Sequence, residues 1–126
     1  MGRRRGGVRG AAVRALTRDT DALVCLVTTP PGQARPIAAA LVARELVACV
    51  NIVAQVQSVY RWKGAVEHGE EALLVMKTTR SALPALDAAL GELHPYETFE
   101  LVALDVAGGS AGYLAWIGAS VAPPVG

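Results

Sequence analysis

Between Val50 and Trp62 the apolar residues Val50, Ile52, Ala54, Val56, Tyr60 and Trp62 alternate with Asn51, Gln55, Gln57 and Arg61. A period of two marks an extended strand with two unlike faces, because successive side chains project to opposite sides. Lys63-Gly64 supplies a turn, and the chain returns through Val66-Glu67 to Leu73-Leu74-Val75-Met76-Lys77-Thr78, so Cys49 to Thr78 reads as one long β-hairpin. Its outgoing arm of about 13 residues exceeds the usual ~5–6. A ribbon of that reach overhangs so short a chain and is expected to meet another subunit.

The flanking stretches follow other periods. Ala22-Leu23-Val24-Cys25-Leu26-Val27-Thr28 is an unbroken apolar run closed by Thr29-Pro30-Pro31-Gly32, which predicts a buried strand and a turn. A helix is predicted from about Pro36 to Leu46, with Ile37, Ala40 and Leu41 inward. Ser81 stands as the N-cap of a second helix, in which Leu83, Leu86, Leu90 and Leu93 share a face and which Pro95 stops. Glu100 to Val106 predicts another strand. Gly108-Gly109 then turns the chain, and Ser110 caps a last helix carrying Tyr113, Leu114, Trp116, Ile117 and Val121, stopped by Pro123-Pro124. Strand, helix, strand, strand, helix, strand and a C-terminal helix is the βαββαβ order of an α+β ferredoxin-like split β-α-β sandwich. Its helices cover one sheet face, yet Leu23 to Val27, Ala72 to Met76 and Leu101 to Leu104 are apolar on both parities. An apolar sheet face left in water forgoes about 1.5–3 kcal/mol per large side chain, so copies of the same chain are expected to pack through their sheets.

Composition narrows the picture. With 126 residues, 52% hydrophobic and 18% charged, the chain reads as one globular domain. The net charge of +1 conceals a divided chain. Arg3, Arg4, Arg5, Arg9, Arg14 and Arg18 crowd the start, whereas the body from residue 19 holds six basic and eleven acidic residues, a balance of −5. Residues 1–20 are expected to form a mobile Arg-rich tail and residues 21–126 the folded domain. A transit peptide would share the arginines but should contain Ser, and none precedes Thr17. An acidic body argues against nucleic-acid binding. No 18-residue apolar run or secretory segment is present, so no membrane partner and a cytoplasmic location are expected. Cys25 and Cys49 are too few for a disulfide framework and read as reduced thiols.

Ala48-Cys49-Val50-Asn51-Ile52, Ser58-Val59-Tyr60-Arg61-Trp62-Lys63-Gly64 with Glu67 and Glu71, Lys77-Thr78, His94-Pro95-Tyr96-Glu97 with Glu100, and Tyr113-Leu114-Ala115-Trp116 together resemble the CutA divalent-cation tolerance family. The likeness runs from Leu23 to Val121. It implies a stable homotrimer of ferredoxin-like protomers, similar in architecture to the nitrogen-regulatory trimeric signal proteins, and a link to tolerance of copper and other divalent ions. Some members carry a thiol and a second His at the positions held here by Val27 and Leu93.

The donors available for Cu²⁺ or another divalent cation are Cys49 and His94, with His68, Glu67, Glu70, Glu71, Glu97 and Glu100 as weaker candidates. No pair has zinc-site spacing, but a trimer multiplies each donor by three. Cys49 also reads as a small buried apolar residue, and His94 as a helix-end cap. Cys25 precedes Val27 by two residues, about 6.6 Å along a strand. Lys77, directly after an apolar run, needs a carboxylate such as Glu97 or Glu100, or a bound ligand. Tyr60, Trp62, Lys77, Tyr96, Glu97, Glu100, Tyr113 and Trp116 would suit a cleft between subunits for a small polar molecule, or trimer packing. Thr98-Phe99 stand where the family has Pro, which predicts a less rigid turn. With no P-loop, G-x-S-x-G or H-E-x-x-H, no enzymatic activity is expected. Two functions remain open: a weak metal binder in divalent-ion tolerance, and a signalling trimer that senses a metabolite in intersubunit clefts.

Overall fold

The computed structural model describes residues 15–124, so most of the expected tail, residues 1–14, lies outside the described residues. The elements run β1 (Leu16–Thr17), β2 (Ala22–Thr29), α1 (Ala34–Ala43), β3 (Cys49–Trp62), β4 (Ala65–Thr79), α2 (Leu83–Leu93), β5 (Val102–Asp105), β6 (Gly109–Ser110) and α3 (Ala111–Ser120). β2 to β5 form an antiparallel sheet in the order β3-β4-β2-β5, the arrangement expected of a split β-α-β sandwich. Leu23, Cys25 and Val27 of β2 and Leu74 and Met76 of β4 meet Ile37 and Leu41 of α1 and Leu86 and Leu90 of α2 in one core. These strand positions alternate, so one parity of each strand builds the core.

The other parity is left open. Val24 and Leu26 of β2 pair with Lys77 and Val75 of β4 and with Leu104 and Val102 of β5, while Val53 of β3 pairs with Leu73. Val53, Val102 and Leu104 are each close to half exposed. Nothing among the described residues of the protomer hides this apolar face along most of its length.

The hairpin turns at Lys63 and Gly64 with φ of 51° and 81°. Positive φ at both central residues suits the twist of a two-residue hairpin, and Gly64 adopts it without a Cβ penalty. One correction concerns the faces of β3. Val53 pairs with Leu73 but Val56 with Glu71, so Ala54 and Gln55 together oppose Ala72 in a β-bulge. Before it Val50 and Ile52 share the core parity with Met76 and Leu74. After it Val56, Tyr60 and Trp62 align with Glu71, Glu67 and Ala65, on the opposite parity. The alternation seen in the sequence is therefore two half-stripes on different faces.

Helix ends also differ from the sequence reading. α1 begins at Ala34, behind a 3-10 turn at Pro31–Gln33, and stops at Ala43 because Glu45 enters the left-handed region at φ 58°. There Glu45 N–H donates to Val42 O and Leu46 N–H to Leu41 O, both Schellman bonds. Ser81 does not cap α2: it lies in a 3-10 turn at Arg80–Ala82, with Oγ 3.4 Å from Thr79 Oγ1. Ser110 precedes α3 without a side-chain cap bond and pairs with Leu16, while Ala111 N–H donates to Ala15 O. Residues 15–17, read as tail, are thus tied to the body. A Cβ at Gly108 would come within 2.7 Å of Thr17 O, which explains why this close crossing holds a glycine.

Candidate functional site

Beyond the bulge, β3 carries Tyr60 and Trp62 along one side of the ribbon. The loop after α2 crosses the same region, and the two enclose a cleft of about 930 Å³ lined by Tyr60, Trp62, Glu71, Tyr96, Glu97 and Glu100, with Thr28, Lys63 and Thr98 also on its walls. Five residues proposed from sequence for a ligand cleft, Tyr60, Trp62, Tyr96, Glu97 and Glu100, are brought together here. Glu71, Lys63 and Thr98 were not grouped with them. Glu71, read from sequence as a weaker metal donor, takes its place in the cleft through the cross-strand register, four β4 residues from Glu67, the partner of Tyr60.

His94 fixes the loop. It is 6% exposed and uses both ring nitrogens: Nε2 lies 2.8 Å from Thr28 O, and the Tyr96 N–H donates to Nδ1 at 3.1 Å. Since Nδ1 accepts, Nε2 carries the proton and donates to the carbonyl. The Phe99 ring stacks on the imidazole at 5.2 Å and 19°, and Tyr96 tilts against it at 4.9 Å. Phe99 also packs against the core, so an aromatic anchor restrains the turn that was expected to be looser without Pro. Tyr96 O–H in turn reaches Glu71 Oε2 at 3.4 Å. Desolvation raises the Tyr96 phenol pKa above its ordinary value, and the Glu71 charge and hydrogen bond add to the rise.

Lys77 lies elsewhere. It stands six residues along β4 from Glu71, roughly 20 Å, and its Nζ donates to Asn51 Oδ1 instead of meeting Glu97 or Glu100. Tyr113 and Trp116 are also outside the cleft. Their rings lie 5.4 Å apart on α3, a helix that packs against β2 and β4 near the Ala22–Thr79 pair, at the far end of the sheet. There α3 borders a separate cavity of about 370 Å³ with Thr17, Asp19 and Asp21.

The candidate metal donors do not converge in the protomer. Cys49 pairs with Lys77, whereas Thr28, which holds His94, pairs with Leu73, four residues and roughly 13 Å along β4. His94 has no lone pair left for a metal. Cys49 Sγ sits 3.9 Å from Asn51 Oδ1, and the neighbouring Lys77 ammonium disfavours a dication. Burial raises the pKa of Cys25, so its thiol stays protonated and inert. Among the described residues no three His, Cys, Asp or Glu side chains form a group able to hold a metal ion. The residues of one protomer therefore do not fit a resident divalent ion.

A family model described as CutA1 divalent ion tolerance protein matches residues 23–120. The divalent-cation tolerance protein CutA of Thermus thermophilus is 48% identical over 95 residues, covering 75% of this chain and 92% of that protein. The protein CutA homolog of Xenopus laevis is 39% identical over 118 residues, 88% of this chain and 78% of that one. Among solved structures, the divalent cation tolerance protein of Thermus thermophilus aligns with a TM-score of 0.79 at 45% identity, covering 80% of this chain and 99% of that chain. The PII-like protein CutA of Nostoc sp. PCC 7120, in apo form, aligns with a TM-score of 0.76 at 33% identity, covering 81% and 99%. With core, hairpin and loop all inside the matched span, the chain belongs to the CutA1 divalent ion tolerance family.

Proposed function

We propose that this protein serves divalent-ion tolerance as a homotrimeric sensor, whose clefts bind a small polar molecule, rather than as a chelator within each protomer or as an enzyme. The observation that carries this reading is the contrast between two sets of residues: five aromatic and acidic side chains meet in one cleft, while Cys49 and His94 lie apart with His94 fully engaged. Two aromatic walls and a few polar groups are what recognition of a small molecule needs. The Nostoc relative, described as PII-like, supports a signalling role. The open apolar sheet face supports assembly through the sheets. No helix among the described residues is long and apolar enough to cross a membrane, and the two buried free thiols suit a reducing, cytoplasmic setting.

Native mass spectrometry of gently purified protein tests the proposal. The expected result is a trimer carrying a small-molecule adduct that Trp62→Ala removes. A ligand-free trimer from several growth conditions, with no small molecule perturbing Trp62 fluorescence, would reject it.

Direct weak binding of Cu²⁺ or Zn²⁺ keeps one supporting observation: Cys49 shares a sheet parity with the open face, although the protomer itself already buries it. Calorimetry with either ion distinguishes the readings. Specific heat in the wild type that disappears in Cys49→Ala favours metal binding, and identical isotherms reject it.

A further inference from the structure

The charge on the cleft walls is one-sided. Glu71, Glu97 and Glu100 face a single ammonium, Lys63, and that ammonium is already occupied, with Nζ 5.8 Å from the Trp62 ring centroid. The chain's own cation thus rests on the indole that borders the cleft, an internal example of ammonium recognition by an aromatic face. Tyr60, Trp62 and Tyr96 remain 47%, 51% and 42% exposed, so their rings are available to a second cation. Tyr96 is a hydrogen-bond donor to Glu71 and adds no charge of its own.

The spread of the carboxylates narrows the ligand further. They do not belong to any group of three donors able to hold a metal ion among the described residues. A bare dication is reluctant to shed its water for such a dispersed set. An elongated organic cation has the opposite requirement: separated ammonium groups want separated carboxylates, and the methylenes between them lie along aromatic surface. We infer that the cleft selects an organic polyammonium cation, with Glu97 and Glu100 pairing its charged ends and Trp62 and Tyr60 covering its stem. This inference rests on the cleft being a ligand site, as proposed above.

Calorimetric titration of the full-length protein in about 0.15 M salt, where exposed charge pairs are screened, tests the ligand class. The probes are spermidine, a diol and a dicarboxylate of similar length. Spermidine is expected to bind saturably, at least about fivefold more tightly than either comparator, and to weaken at least about fivefold in Glu97→Gln/Glu100→Gln and in Trp62→Leu. All these positions are exposed in the protomer, and far-ultraviolet dichroism and sedimentation matching the wild type identify variants that keep the fold and the assembly. If the diol or the dicarboxylate binds as tightly as spermidine and depends on Trp62, the cation inference falls while the cleft remains a ligand site. If none of the three binds in a Trp62-dependent way, the cation inference falls, and the adduct sought by native mass spectrometry decides whether the cleft is a ligand site.

Discussion

Tyr96 shows how one residue joins loop, strand and cleft. Its N–H donates to His94, its ring leans on the imidazole, and its hydroxyl reaches Glu71 of β4. Because desolvation and then Glu71 raise the phenol pKa, the folded state binds the phenolic proton more tightly than the unfolded chain. The stability from that proton is complete below the ordinary tyrosine pKa of about 10 and is lost as pH rises through the folded value. Ultraviolet titration should therefore find a late tyrosine component that Tyr96→Phe removes. Glu71→Gln should lower its midpoint only part of the way, since desolvation is the larger cause. A Tyr96 component titrating with an exposed tyrosine would contradict this account. At this scale the sequence was a partial guide. His94, Tyr96 and Glu97 stood out as a motif, but their types alone could not reveal that both imidazole nitrogens face the backbone. That depends on Thr28, 66 residues away.

At the scale of elements, periodicity told strands from helices, and local backbone geometry then moved their limits. α1 continues the apolar pattern toward Leu46, yet ends at Ala43 because two Schellman bonds form around Glu45. Left-handed backbone costs a non-glycine residue about 1–2 kcal/mol, while glycine adds about 0.5–1 kcal/mol of unfolded-state freedom. Glu45→Gly should thus stabilise the fold by about 0.5–1 kcal/mol, seen as a higher urea midpoint with unchanged slope at fixed protein concentration. The carbonyl that accepts the Ala122 N–H belongs to the backbone and survives the substitution. A lower midpoint would show that the Glu45 side chain stabilises the helix end more than its backbone strains it. The bulge at Ala54-Gln55 was hidden for a related reason: neither residue type demands it, and only the pairing with Ala72 exposes it. Its consequence reaches the site, because it turns Tyr60 and Trp62 onto the side of Glu71.

For the whole molecule the decisive feature was readable early, since apolar residues on both parities of three strands cannot all enter a one-sided core. The structure resolves that conflict by burying Leu23, Cys25 and Val27 and leaving Val24, Leu26, Val75, Val102 and Leu104 on the open face. What the sequence could not supply was which cleft residues belong to a single protomer, because Lys77, Tyr113 and Trp116 are displaced along the sheet by distances that only topology defines. If three copies cover the open face, a charge placed there should oppose assembly without unfolding the protomer. Leu104 is 46% exposed in the protomer, so Leu104→Asp sacrifices little of the core. Burying it between copies would contribute up to about 1.5–3 kcal/mol per site, repeated three times. Sedimentation velocity at micromolar concentration should show a trimer for the wild type and a smaller species for Leu104→Asp, with matching far-ultraviolet dichroism. Val42 of α1 is 42% exposed on the helix layer, and Val42→Asp should leave the sedimentation coefficient unchanged. A wild-type monomer, or a Leu104→Asp variant that still sediments as the wild type does, would show that the β layer is not the assembly surface.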